Sequence, residues 1–171
     1  TSSNVVFKVK YAKLSSLTIL LISLCEVSTC FVSVTVIEEY IPGYECTVWI
    51  VGNPDDYCLI APLLISCNGE YIFTNKVFTI DDKANRVRQY HHPKDVLSEE
   101  IINRLIDKSK LIFKELRLHD YARFDFRINN DKIYFIEANT LPIFSKTSEI
   151  GNIEKIYNIS YSEICQKLAE T

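Results

Sequence analysis

The chain has 171 residues, 47% of them hydrophobic and 24% charged, enough for one full globular domain or one domain with a small subdomain. A net charge of −3 gives no general attraction to nucleic acid, and the six cysteines (Cys25, Cys30, Cys46, Cys58, Cys67, Cys165) form no CxxC pair, which argues against a zinc site. Cysteines scattered through apolar strands read as buried, reduced thiols of a cytosolic protein, and a chain that opens on Thr1 without a single methionine reads as a piece of a longer one.

Residues 4–10 have the pattern of a strand. Lys8, Lys10 and Lys13 then precede a long apolar run over 14–37 that superficially resembles a signal peptide or membrane span. Its Ser, Thr and Val content and the central Glu26 favour a strand over 17–24, a short connecting helix over 25–33 and a strand over 34–41. Pro42-Gly43 marks a turn, and strands follow over 45–51 and 57–66, separated by the loop Asn53-Pro54-Asp55-Asp56 and closed by Asn68-Gly69. Residues 70–96 are charged and irregular, the profile of a functional lid or mobile loop. His91 and His92, beside Pro93, read as loop histidines. Ser98-Glu99-Glu100 opens a helix by capping and dipole complementarity, with Ile101, Leu105, Leu111, Ile112 and Leu116 as its inward face. A last helix begins near Ser160, where Ser160 and Glu163 form a capping-box pattern. The class is α+β with mainly antiparallel strands.

Between those helices lies the most informative stretch: Arg123-Phe124-Asp125-Phe126-Arg127, a turn within 129–132, then Ile133-Tyr134-Phe135-Ile136-Glu137-Ala138-Asn139-Thr140. Both halves alternate with period two, and Asn129-Asn130-Asp131-Lys132 supplies hairpin turn residues. With the turn centred near Asp131, Asp125 faces Glu137 and Arg123 faces Asn139, all four on one side of the ribbon. Opposed carboxylates repel unless a cation sits between them. Two carboxylates and a carboxamide oxygen on a rigid frame suit a hard cation, magnesium first, which leaves positions open for phosphate oxygens.

Over residues 123–168 the chain resembles the C-terminal part of D-alanine–D-alanine ligases, members of the ATP-grasp superfamily. The resemblance is carried by Arg123-x-Asp125, the turn, Tyr134-Phe135-Ile136-Glu137-Ala138-Asn139-Thr140-x-Pro142, then Ser148, and by Asn158-Ile159-Ser160-Tyr161-Ser162-Glu163-Ile164. Residues 36–48 are similar to the family's adenine-binding strand and turn. The resemblance implies an ATP-grasp fold in which 1–50 belong to the central subdomain and 51–171 form the C-terminal subdomain. It implies that Asp125, Glu137 and Asn139 hold magnesium (or manganese) on the ATP phosphates, and that Arg123 stabilises the acyl-phosphate and tetrahedral intermediate. Glu38 would accept from the adenine amine, backbone groups around Glu39 and Ile41 would complete the base contacts, and Glu45 would hold the ribose. Lys8, with Lys10 as its alternative, and the lid residue Lys76 would reach the nucleotide. Ser148 would receive the second amino acid's carboxylate, or simply cap the next helix.

Three departures from the family pattern stand out. Tyr11-Ala12-Lys13-Leu14-Ser15-Ser16 lacks the glycines that let backbone N–H groups approach phosphate. Ile143 stands where the family has glycine beside its oxyanion hole. Set against the family pattern, the N-terminal domain that grips the first amino acid would be missing from this stretch. The expectation is therefore a fragment of an ATP-dependent carboxylate–amine ligase, incomplete alone, with D-alanine the default substrate and another amino acid pair a close variant. Its localisation would be cytoplasmic, its assembly a homodimer as is common in the family, with no nucleic-acid or membrane partner. A degenerate ATP-grasp domain that binds nucleotide or a partner without turnover is the alternative; a membrane-anchored structural domain rests on the apolar run alone.

Overall fold

The computed structural model describes residues 19–24, 32–37, 39–74 and 88–170. The chain divides into two units, Thr1–Tyr40 and Ile41–Thr171. In the first, β1 (Ile19–Leu24) and β2 (Val32–Ile37) pair antiparallel, with Ile19 opposite Ile37 and Leu24 opposite Val32. Residues 32 and 33 are thus strand, not the end of the helix expected over 25–33. Their β-branched neighbours in Val32-Ser33-Val34-Thr35-Val36 carry the extended conformation two residues further back. The strand expected over 4–10, the glycine-poor loop at 11–16 and residues 25–31 lie outside the described residues. Among the described residues, no helix is long and apolar enough to cross a membrane.

The second unit is built on a six-stranded antiparallel sheet. Its strands are β3 (Gly43–Asn53), β4 (Asp56–Cys67), β5 (Ile72–Phe73), β6 (Arg88–His91), β7 (Tyr121–Asn129) and β8 (Lys132–Asn139). They run in the order β6-β4-β3-β7-β8, with β5 paired to β3. β3 is central and runs unbroken across position 50, its residues 46–51 buried throughout. It turns into β4 through Pro54-Asp55, and Asp55 takes a left-handed φ of 70° that Asp tolerates. Gly43 (φ 125°) starts β3 so close to β7 that a Cβ would fall 2.1 Å from the Ile128 carbonyl oxygen. Only glycine fits there.

The two faces of the sheet are covered differently. Helix α1 (Glu99–Glu115) packs on one face, against Cys46, Val48, Ile50, Leu64, Phe124, Phe126 and Ile128. Ser98 caps it as expected, its Oγ accepting from the Ile101 N–H at 3.4 Å. The inward face differs from expectation: Ile101, Leu105, Ser109 and Phe113 are buried, whereas Leu111 and Leu116 are 59% and 51% exposed. A strict four-residue step from Ile101 selects Ser109 and Phe113, and the Phe113 ring meets the edges of Tyr57 and Phe124. Ser109 is accommodated because its hydroxyl donates to the Leu105 carbonyl at 2.8 Å. On the other face, α2 (Glu149–Tyr157) and α3 (Tyr161–Ala169) bury Ile150, Ile153 and Ile164 against Trp49, Val51, Ala61 and Leu63. The capping box at Ser160 and Glu163 is present, with both reciprocal hydrogen bonds.

The stretch expected to be irregular over 70–96 contains more order than its pattern suggested: β5, β6 and a 3-10 turn at Pro93–Asp95. Arg88-Gln89-Tyr90-His91 has no apolar alternation. It is a strand because it pairs with residues 64–67 of β4, a partner invisible to local patterning. Of the four described cysteines, Cys46 and Cys67 are buried and Cys58 and Cys165 half-buried.

Candidate functional site

The hairpin β7–β8 turns on two residues, Asn130 and Asp131, both left-handed with φ of 46° and 62°. This is the geometry a tight hairpin demands, and Asn and Asp accept it. Near the turn, Asn129 faces Lys132 and Phe126 faces Phe135. That register, continued, would set Asp125 against Ile136 and send Glu137 to the far face. A bulge between Asp125 and Phe126 absorbs Ile136 as an unpaired residue, and from there Asp125 faces Glu137 and Arg123 faces Asn139. The register expected from the sequence therefore holds at the polar cluster and is one residue off beside the turn.

Arg123 is the hub. Its side chain is only 14% exposed. Nε lies 3.0 Å from Asp125 Oδ1 and Nη2 2.9 Å from Oδ2, a bidentate pair. Nη2 is 3.8 Å from Glu137 Oε1, and Nη1 is 3.5 Å from Glu149 Oε1. Burial works against the guanidinium's charge, but Asp125, Glu149 and Glu137 outweigh it and raise its pKa further above the ordinary value. Among the described residues, three carboxylates surround this one cation, leaving two negative charges in excess. Glu149 escaped the sequence reading; its only signal is its place directly after Ser148, at the first turn of α2. The Tyr90 hydroxyl on β6 bonds to Glu149, and burial pushes that phenol's pKa up.

A second cluster lies on the same face. Glu45 pairs with Arg127 across β3 and β7, and its two oxygens engage Arg88 and, at 2.8 Å, the Nη2 of Arg127. Burial lifts the Glu45 carboxyl above its ordinary range, Asp125 adds to that, and the two arginines pull it back down. Arg127 also lies over the Phe73 ring at 5.3 Å. On β3, Thr47 faces Asp125 and Trp49 faces Arg123; among the described residues, Thr47 Oγ1 and Trp49 Nε1 are buried without a hydrogen-bond partner. Arg127 was legible as the residue two positions beyond Asp125 on the same face; the partnership with Arg88 was not.

Asn139 shares the face of Asp125, and its Oδ1 accepts from the Leu141 N–H at 3.2 Å. Ser148 occupies the N-cap position of α2 but does not cap it; its hydroxyl donates within the loop, towards the carbonyls of Ile143 (2.7 Å) and Ser145 (2.8 Å). Ile143 and Leu141 are 73% and 77% exposed. Glu39 is exposed and Ile41 half-buried. Lys8, Glu38 and Lys76 lie outside the described residues.

The donor chemistry fits a hard cation: two carboxylates and a carboxamide oxygen share one face, amid surplus negative charge. Among the described residues, no group of three His, Cys, Asp or Glu side chains forms a metal cage alone. A cation there would draw on Asn139, and Arg123 would have to release Asp125.

A family model described as D-ala D-ala ligase C-terminus matches residues 18–170. The chain belongs to this family. The D-alanine–D-alanine ligase of Ruminiclostridium cellulolyticum is 29% identical over 136 residues, covering 78% of this chain and 35% of that protein. Its counterpart from Maridesulfovibrio salexigens is 33% identical over 135 residues, covering 78% and 42%. The crystal structure of D-alanine–D-alanine ligase from Bacillus anthracis complexed with ATP matches with a TM-score of 0.62 at 25% identity, over 82% of this chain and 43% of that one. The VanG D-Ala:D-Ser ligase of Enterococcus faecalis shares the fold at a TM-score of 0.58 and 22% identity, over 79% and 38%. The architecture is the ATP-grasp fold of this family, an antiparallel sheet with flanking helices. The chain spans about two fifths of the length of the relatives it matches.

Proposed function

We propose that this chain is the cation- and phosphate-binding part of an ATP-dependent carboxylate–amine ligase of the D-alanine–D-alanine ligase type. The observation that carries the reading is the Arg123–Asp125–Glu137 cluster, set by a bulge onto one sheet face in a chain of this family. Asp125, Glu137 and Asn139 would hold magnesium. When bound, that ion supplies neutralisation of phosphate charge. Arg123, held on a stiff strand, would stabilise the anionic acyl-phosphate and tetrahedral intermediate as the second amino acid's amine attacks and phosphate departs. Ser148 would receive that amino acid's carboxylate by turning its hydroxyl from the loop carbonyls. Lys8 and Lys76 belong to the nucleotide's phosphates in this reading, Glu38, Glu39 and Ile41 to its base. The division into a central part (1–50) and a C-terminal part (51–171) goes with it.

D-alanine is the default substrate, with the exposed Leu141 and Ile143 leaving room for another second amino acid. A second reading, a degenerate ATP-grasp domain that binds nucleotide or only a partner without turnover, is favoured by Glu45: both its oxygens serve arginines rather than standing open to a ribose. ADP release by a complete ligase carrying these residues, assayed across D-amino acid pairs, separates the two. The ligase reading expects amino-acid-dependent ADP release that drops at least about 100-fold in Asp125→Asn; ATP binding with no such release supports the second.

A further inference from the structure

Arg123 is gripped from two directions. The hairpin takes Nε and Nη2 through Asp125 at 3.0 and 2.9 Å, with Glu137 at 3.8 Å from Nη2. Helix α2 takes Nη1 through Glu149 at 3.5 Å. Glu149 is 22% exposed and is itself bonded to Tyr90 of β6. For a cation to bind Asp125, Arg123 must give up its bidentate partner. A guanidinium this buried that lost every carboxylate would carry the full cost of an unpaired charge.

We propose that Glu149 is a positioning residue: it retains Arg123 through Nη1 when a cation takes Asp125, freeing Nε and Nη2 to face an anionic substrate. The proposal rests on the ligase reading above, because it presumes a cation at Asp125. Two features of the cluster support it. Among the described residues, Glu149 is the one carboxylate on Arg123 that comes from outside the hairpin, so it need not serve the cation. It also reaches a different guanidinium nitrogen from Asp125 and Glu137, so the exchange leaves its contact in place.

The test is Mn2+ titration of the purified chain by electron paramagnetic resonance, with Glu149→Gln and Arg123→Gln alone and combined. Circular dichroism confirms that each variant is folded. Glu149→Gln should weaken Mn2+ binding about five-fold when Arg123 is present, and less than about two-fold in the Arg123→Gln background. Arg123→Gln alone should tighten Mn2+ binding, since the competing cation is gone. Tyr90→Phe, which leaves the charges and α2 intact, should weaken binding in the same Arg123-dependent way. Equal weakening by Glu149→Gln in both backgrounds would mean that Glu149 acts as a distant charge, and no weakening in either would mean it plays no part. Either result overturns the proposal and leaves the ligase reading standing. A folded wild-type chain that takes up no Mn2+ overturns both.

Discussion

At the scale of single residues, Arg123 occupies ground that a divalent cation would share. The hub is an internal counter-ion for Asp125, Glu137 and Glu149. Removing it leaves the half-buried Asp125 and Glu149 uncompensated beside the exposed Glu137, so Arg123→Ala should cost about 3 kcal/mol of stability in EDTA. Magnesium should restore part of that loss in the variant, while stabilising the wild type less, because there it must displace the guanidinium. Denaturant unfolding with and without magnesium reads both effects. Arg123, Asp125, Glu137 and Asn139 were legible because a hairpin with period-two alternation fixes which residues face each other. Glu149 was not, since it arrives from a helix ten residues beyond Asn139 and only tertiary packing brings it to Arg123.

At the scale of elements, the site depends on joints that local pattern describes unequally. The caps at Ser98 and Ser160 could be read directly, because a cap is a contact across three residues. The bulge at Ile136 could not: it reconciles a two-residue turn with an opposed carboxylate pair, and nothing in the alternation marks which residue drops out. The polar edge strand β6 was likewise hidden, being defined by its partner β4. The joint between α2 and the preceding loop makes a sharper prediction. Gly151 lies so close to that loop that a Cβ would fall 1.9 Å from the Lys146 carbonyl oxygen. In an unobstructed helix interior, Gly→Ala is stabilising by about 1 kcal/mol. Here Gly151→Ala should destabilise by about 2 kcal/mol and shift Ser148 and Glu149 away from the hairpin. Thermal unfolding gives the sign, and a parallel loss of Mn2+ affinity would show that the joint positions the site.

At the scale of the whole molecule, the second unit organises one sheet with two unlike faces. One is sealed by α1 over an apolar core, while the other carries a packed end under α2 and α3 and the two charged clusters. The fold class followed from the order of strands and helices, and the family from the hairpin and its following loop. The nucleotide's other contacts, at Lys8, Glu38 and Lys76, were proposed from resemblance alone and fall outside the described residues. Because the chain spans about two fifths of its relatives, what it is expected to do alone is bind Mg-ATP rather than turn it over. Calorimetry of Mg-ATP binding to this chain, beside Glu137→Gln and beside the wild type in EDTA, tests that expectation most directly. Binding should depend on magnesium and weaken at least about ten-fold in the variant. Binding unchanged by EDTA and by Glu137→Gln, or no binding to a folded chain, would contradict it.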